Sequence, residues 1–161
     1  MIQYFSDSPL PGSAPNSIFL AGPTPRGASP RSWRVEALAL LRTGGERLQE
    51  DFPGAVFVPE PKEGPTGKWP TPFDQMIWEQ RALEMATCIV FWVPRNMKDM
   101  PGLTTNVEFG LYARSNKIVL GYPPDAEHMN YLRFCAGRFG ISNWSTLEDT
   151  LYAATVMVFN E

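Results

Sequence analysis

Apolar residues in this chain gather in short runs that are apolar at nearly every position rather than at every second one. Ser17-Ile18-Phe19-Leu20-Ala21, Ala55-Val56-Phe57-Val58, Cys88-Ile89-Val90-Phe91-Trp92-Val93 and Lys117-Ile118-Val119-Leu120-Gly121 are the clearest, and proline follows each within a few residues. Such a run predicts a strand buried on both faces. Proline marks its end because it has no N–H to give to a sheet ladder. Between the runs the apolar spacing turns helical. Ser32 is placed to cap a helix reaching to about Leu48, with Trp33, Ala37, Leu38 and Leu41 on one side. A second helix is expected from about Thr71 to Ala86, with Met76, Ile77, Leu83 and Ala86 inward, and a third from Thr105 to Ser115. Beyond the fourth run the pattern weakens to a helix over Ala126–Arg138, a short fifth strand over Phe139–Ser142 and a last helix from Ser145 to Phe159. Residues 1–16, rich in Ser and Pro, read as an irregular arm, flexible or laid across a neighbouring subunit. Residues 17–161 read as a single domain, with a Gly/Pro-rich loop over Lys62–Pro70.

Doubly buried strands alternating with amphipathic helices predict an α/β fold, a doubly wound sheet of about five mainly parallel strands with helices on both faces. In such sheets a ligand sits at the carboxyl ends of the strands. That rule selects Gly22–Gly27, Pro59–Glu63, Pro94–Glu108 and Tyr122–His128. Composition narrows the partners. The 161 residues fit one core, and 43% apolar with 19% charged residues excludes a disordered chain. The net charge is −3 and the Lys and Arg residues are scattered, so polymeric nucleic acid is not an expected partner. Cys88 and Cys135 lack metal-ligand spacing, and Cys88 reads as a buried core thiol. No pair of His, Cys or Asp residues suits a metal either, so none is expected. No apolar run approaches membrane-spanning length and no signal-peptide pattern precedes the first strand, so no membrane association and a cytoplasmic location are expected.

The segment Thr104-Thr105-Asn106-Val107-Glu108-Phe109-Gly110 opens a helix at the carboxyl edge of the third run. Glu108 in a first helical turn would be held ionised by the helix dipole and free N–H groups, as attack on an anomeric carbon requires. Thr105-x-x-Glu108 is equally a capping box, in which Glu108 only bonds back to the helix start. Glu79, in Trp78-Glu79-Gln80, is a solvated helix glutamate unless it faces the same crevice, where it could protonate or hydrogen-bond a leaving base. Gly22-Pro23-Thr24-Pro25-Arg26-Gly27 has neither dinucleotide nor P-loop spacing, but glycine permits close approach and Arg26 can reach a hydroxyl or phosphate. The alternative is a rigid surface turn. Of the tryptophans considered, Trp33, Trp69, Trp78 and Trp92, the last reads as core, and Trp78 either stacks on a base or packs. His128 has no nucleophile partner in sequence.

Taken together, Ile18-Phe19-Leu20-Ala21-Gly22-Pro23-Thr24-Pro25-Arg26, Ser32-Trp33-Arg34, Trp78-Glu79, Ile89-Val90-Phe91-Trp92-Val93-Pro94-Arg95 and Thr104 to Gly110 resemble the nucleoside 2-deoxyribosyltransferase family, in its shorter bacterial and phage-like branch. The resemblance runs from about Ser17 to Gly121, and more loosely beyond. It implies a Rossmann-like, flavodoxin-type domain that exchanges the base of a 2′-deoxynucleoside with retention, without cofactor. Glu108 would attack C1′, and Glu79 would stand where the family usually has an aspartate that handles base protonation. Gly22, Pro23, Thr24 and Arg26 would line the sugar side. The stretch from Pro94 and Arg95 to Thr104, with Thr105, Asn106 and Trp78, would contact base or sugar. The expected partners are nucleosides, free nucleobases and further copies of the chain, as a dimer or hexamer. The sequence departs from the lactobacillary type, which carries a tyrosine near the end of the first strand and an aspartate shortly before the glutamate; here stand Ile18-Phe19-Leu20 and Gly102-Leu103-Thr104-Thr105-Asn106. A nucleoside or nucleotide N-glycoside hydrolase, with Arg26 selecting a 5′-monophosphate, is a second reading. A Toll/interleukin-receptor-type NAD glycohydrolase and a non-catalytic nucleotide sensor are more distant ones.

Overall fold

A computed structural model describes residues 1–27, 29–63 and 71–160. The elements, in chain order, are β1 (Ile2–Phe5), β2 (Ser17–Ala21), α1 (Trp33–Thr43), β3 (Ala55–Val58), α2 (Pro72–Met85), β4 (Cys88–Trp92), α3 (Leu103–Tyr112), β5 (Ile118–Gly121), α4 (Asn130–Phe139), β6 (Asn143–Trp144) and α5 (Leu147–Phe159). The strands form one sheet in the order β1-β3-β2-β4-β5-β6, and every pairing is parallel. The expected doubly wound α/β architecture is present, with six strands instead of about five.

The central strands are apolar throughout because both faces are covered. Phe19, Phe57, Ile89 and Phe91 point into a core shared with Trp78 and Leu83 of α2, Phe109 of α3 and Leu132 of α4. The alternate residues Ile18, Leu20, Val56 and Val90 point into a second core with Trp33, Ala37 and Leu41 of α1 and Leu147 and Leu151 of α5. This is the period-two alternation of a strand, with apolar partners on each side.

Several boundaries differ from the sequence reading. Residues 1–16 are not an arm throughout. Ile2–Phe5 forms an edge strand paired with β3, Tyr4 stacks on Phe57 at 5.6 Å, and the Trp78 indole donates to the Ser8 carbonyl at 2.9 Å. Four residues on a sheet edge are too few to declare themselves beside a Ser/Pro-rich stretch. α1 stops at Thr43 rather than near Leu48, because Gly44 takes a left-handed φ of 66°. On α2 the expected inward Met76 and Ile77 are 57% and 38% exposed, and Trp78, Ala82 and Leu83 are buried instead. α3 spans Leu103–Tyr112 rather than Thr105–Ser115, and α4 begins at Asn130 rather than Ala126. The fifth strand expected at Phe139–Ser142 is the two-residue β6 at Asn143–Trp144, since α4 extends through Phe139 and ends at the left-handed Gly140. The expected loop over Lys62–Pro70 and Trp69 lie largely outside the described residues. Among the described residues no helix is long and apolar enough to cross a membrane.

The topology places the site. From β2 the chain crosses through α1 to β3 on one side. It then returns through α2 to β4 on the other side of β2. The loops after β2 and β4 therefore diverge, and a crevice opens at their carboxyl ends.

Candidate active site

That crevice is a cavity of about 400 Å³. The loop after β2 supplies Gly22, Pro23, Thr24 and Arg26, α2 supplies Gln75, Met76 and Glu79, and α3 supplies Thr104 and Glu108. Gly22 sits at φ 146°, a conformation that favours glycine, and a methyl added there would run into the Trp92 carbonyl. β2 and β4 can thus lie close together where the cavity begins. Gly102, at φ 59°, turns the chain into α3, and a side chain there would crowd Pro23. These two glycines bring the walls of the cavity into register.

Glu108 is not in a first helical turn. α3 starts at Leu103 after the left-handed Gly102, with no side-chain cap and no acidic residue in its first turn. Glu108 therefore lies in the second turn, Thr105 is buried inside the helix, and the expected capping box does not form. The expected electrostatics reverse with it. Burial pushes the Glu108 carboxyl up from 4.5 to about 7, the nearby Glu79 carboxylate adds to the rise, and the Arg34 guanidinium opposes it. Glu79 is also raised by burial. A hydrogen bond from Gln75 Nε2 at 2.8 Å and the Arg34 charge both work against that rise. Two desolvated carboxyls thus share one cavity, and with its value at about 7 Glu108 stands close to the balance between its protonated and ionised forms at neutral pH.

The sequence-derived site residues divide. Gly22, Pro23, Thr24, Arg26, Glu79, Thr104 and Glu108 come together on the cavity wall. Trp78 does not. It packs edge-on against Phe57 at 6.4 Å, and its indole N–H donates to the Ser8 carbonyl. Pro94, Arg95, Thr105 and Asn106 lie off the cavity wall. Arg95 is buried and acts as a clasp, donating to the His128 carbonyl at 3.1 Å and to Asn106 Oδ1 at 2.6 Å. It ties the loop after β5 to the start of α3, the helix that carries Glu108. Burial lowers its pKa from the ordinary arginine value.

Arg34, Glu60 and Gln75 were given no role from the sequence, although Arg34 stands in the Ser32-Trp33-Arg34 motif and Glu60 in the selected segment Pro59–Glu63. Arg34 and Glu60 form a buried ion pair at 2.7 Å, and Arg34 also reaches the cavity. The signal that could have found Glu60 is its setting, a carboxylate between Pro59 and Pro61 at the carboxyl end of a doubly buried strand. Among the described residues no group of His, Cys, Asp or Glu is arranged to hold a metal ion.

No curated protein matches the chain. A family model described as nucleoside 2-deoxyribosyltransferase like matches residues 15–126, a span that runs from β2 through β5 and contains the whole cavity lining. That match covers more than half of the sequence, and the chain belongs to the nucleoside 2-deoxyribosyltransferase-like family.

Proposed function

We propose that the chain exchanges the base of a 2′-deoxynucleoside through a covalent deoxyribosyl-glutamate, with Glu108 as nucleophile and Glu79 as proton donor to the departing base. The observation that carries this reading is the pair itself: two half-buried carboxyls on one cavity, one of them held up to about 7, with a buried arginine beside them. A pair holding one proton has the inventory that a displacement with retention needs, one ionised carboxylate and one acid. Glu108 Oε attacks C1′, the C1′–N bond breaks, and its electron pair stays on the base nitrogen. The base takes up a proton through Glu79. A second base then attacks C1′ from the face the first one left, which expels Glu108 and returns the proton to the pair. In the free site burial favours that proton on Glu108. Its passage to Glu79 and on to the base leaves Glu108 ionised for attack.

A hydrolase reading, with water as acceptor, rests on Arg26, an exposed cation on the cavity wall able to hold a 5′-phosphate. Further copies of the chain are proposed as partners. Leu103, Val107 and Leu111 leave an apolar stripe on the outer side of α3, each more than 60% exposed, next to the cavity. A cytoplasmic location is proposed with it.

Incubation with deoxyadenosine, with and without free cytosine, tests the reading. Deoxycytidine formed only when cytosine is present supports exchange. Free deoxyribose at the same rate in both supports hydrolysis, and repeating with the 5′-monophosphate tests Arg26. No turnover of any of these sinks both and leaves binding without catalysis. Light scattering on the purified protein reads the assembly, and a monomer at working concentration counts against the self-association.

A further inference from the structure

An arginine in the first turn of an amphipathic helix ordinarily reaches solvent. Arg34 of α1 is instead 2% exposed. Its guanidinium is fixed by four oxygens. Nε donates to the Leu20 carbonyl at 2.9 Å, Nη2 to the Gly22 carbonyl at 2.7 Å, and Nη1 to Thr24 Oγ1 at 3.1 Å and Glu60 Oε1 at 2.7 Å. The Ser32 hydroxyl donates to the same Glu60 oxygen at 2.9 Å. One planar fork thus joins the end of β2, the loop after it, the start of α1 and the end of β3. A lysine has one nitrogen and cannot span those acceptors. The same side chain forms part of the cavity wall beside Glu79 and Glu108.

Resting on the function proposed above, we infer that Arg34 is a positioning residue for cleavage of the glycosidic bond. It holds the sugar-side wall Gly22–Thr24 in place and keeps one fixed cation beside the two carboxyls. Among the described residues, the charged and titratable groups around the pair are Arg34 from α1, Arg26 from the loop after β2, Glu60 behind Arg34 just after β3, and the neutral Tyr112 hydroxyl further along α3. Of these, Arg34 is the cation that opposes the rise of both carboxyls, so its loss moves both upward.

Removing Arg34 alone would strand the Glu60 charge in the core and can cost the fold. The test therefore compares Glu60→Gln with the double variant Arg34→Gln/Glu60→Gln, with circular dichroism to verify that both fold. The proteins carry glutamate labelled at the side-chain carboxyl carbon. The Glu108 resonance is assigned by its loss in Glu108→Gln and followed against pH. The inference expects a Glu108 midpoint higher in the double variant than in Glu60→Gln by about half a pH unit or more. It also expects KM for the deoxynucleoside to rise more than kcat falls. Arg34→Lys separates the two contributions: its midpoint stays near that of the unaltered protein, while KM rises because the fork is gone. Equal midpoints in Glu60→Gln and the double variant overturn the charge role, and an unchanged KM in Arg34→Lys overturns the wall role. Either result overturns the inference as stated. The midpoint is read without turnover. A wild-type protein inert to every deoxynucleoside would therefore sink the functional reading, and the midpoint comparison would still decide the role of Arg34.

Discussion

Replacing Glu108 by glutamine should make the protein more stable while destroying its activity. Glu108 is a carboxyl whose folded value lies above its ordinary one, at about 7 against 4.5. The folded state therefore binds the proton more tightly than the unfolded chain does. The stability this contributes is full below pH 4.5 and is lost as pH rises through about 7. At 1.36 kcal/mol per pH unit, the whole rise is worth about 3 kcal/mol. Glu108 is partly exposed and coupled to Glu79, so the measurable share is about 1–3 kcal/mol. Glutamine has nearly the same shape and does not titrate. Urea unfolding of both proteins at pH 5, 6.5 and 8 should therefore show the glutamine variant gaining on the wild type by that amount between the lowest and highest pH, with similar m-values. Stability curves that stay parallel across this range would refute the claim that burial and Glu79 hold the carboxyl up.

The same pair sets the pH dependence of turnover. If one shared proton is needed, kcat/KM should fall on the alkaline side with a midpoint near 7; a rate that only rises through pH 7 would mean that no proton from the pair is used. Gly22→Ala should lower the midpoint of thermal unfolding by several degrees, corresponding to about 2 kcal/mol or more, because both the backbone conformation and the Trp92 carbonyl oppose a methyl there. Trp78→Phe should cost about 1–3 kcal/mol in urea unfolding through the lost Ser8 hydrogen bond and core packing, yet leave KM for the nucleoside within about twofold. A large rise in KM without loss of stability would restore a base-stacking role.

Much of this was legible in the sequence because the physics was local. Four strands buried on both faces had no polar alternation to confuse them, and the prolines after them fixed their ends. The rule that ligands collect at the carboxyl ends of the strands then selected the segments that hold Gly22, Thr24 and Glu108, whereas Glu79 received its place only from the family resemblance. The failures share a cause, which is that the deciding partner lay far along the chain. β1 exists because β3 offers it a ladder. Thr105 and Glu108 match a capping box in spacing, but the left-handed Gly102 started the helix two residues earlier and carried Glu108 into the second turn. There burial, with the Glu79 charge adding to it, raises the carboxyl instead of leaving it held ionised. Arg34 looked like any arginine on a helix, and only the carbonyls at the end of β2 and the carboxylate after β3 make it a buried fork.

The central claim is that Glu108 carries the sugar. It is tested most directly by trapping with a 2′-fluoro-2′-deoxynucleoside, whose fluorine slows release of the glycosyl-enzyme, followed by digestion and peptide mass spectrometry. The account predicts one fluorodeoxyribosyl adduct, on Glu108, which a competing natural deoxynucleoside prevents from forming. An adduct on Glu79 or any other residue, or the same adduct formed by Glu108→Gln, would contradict it.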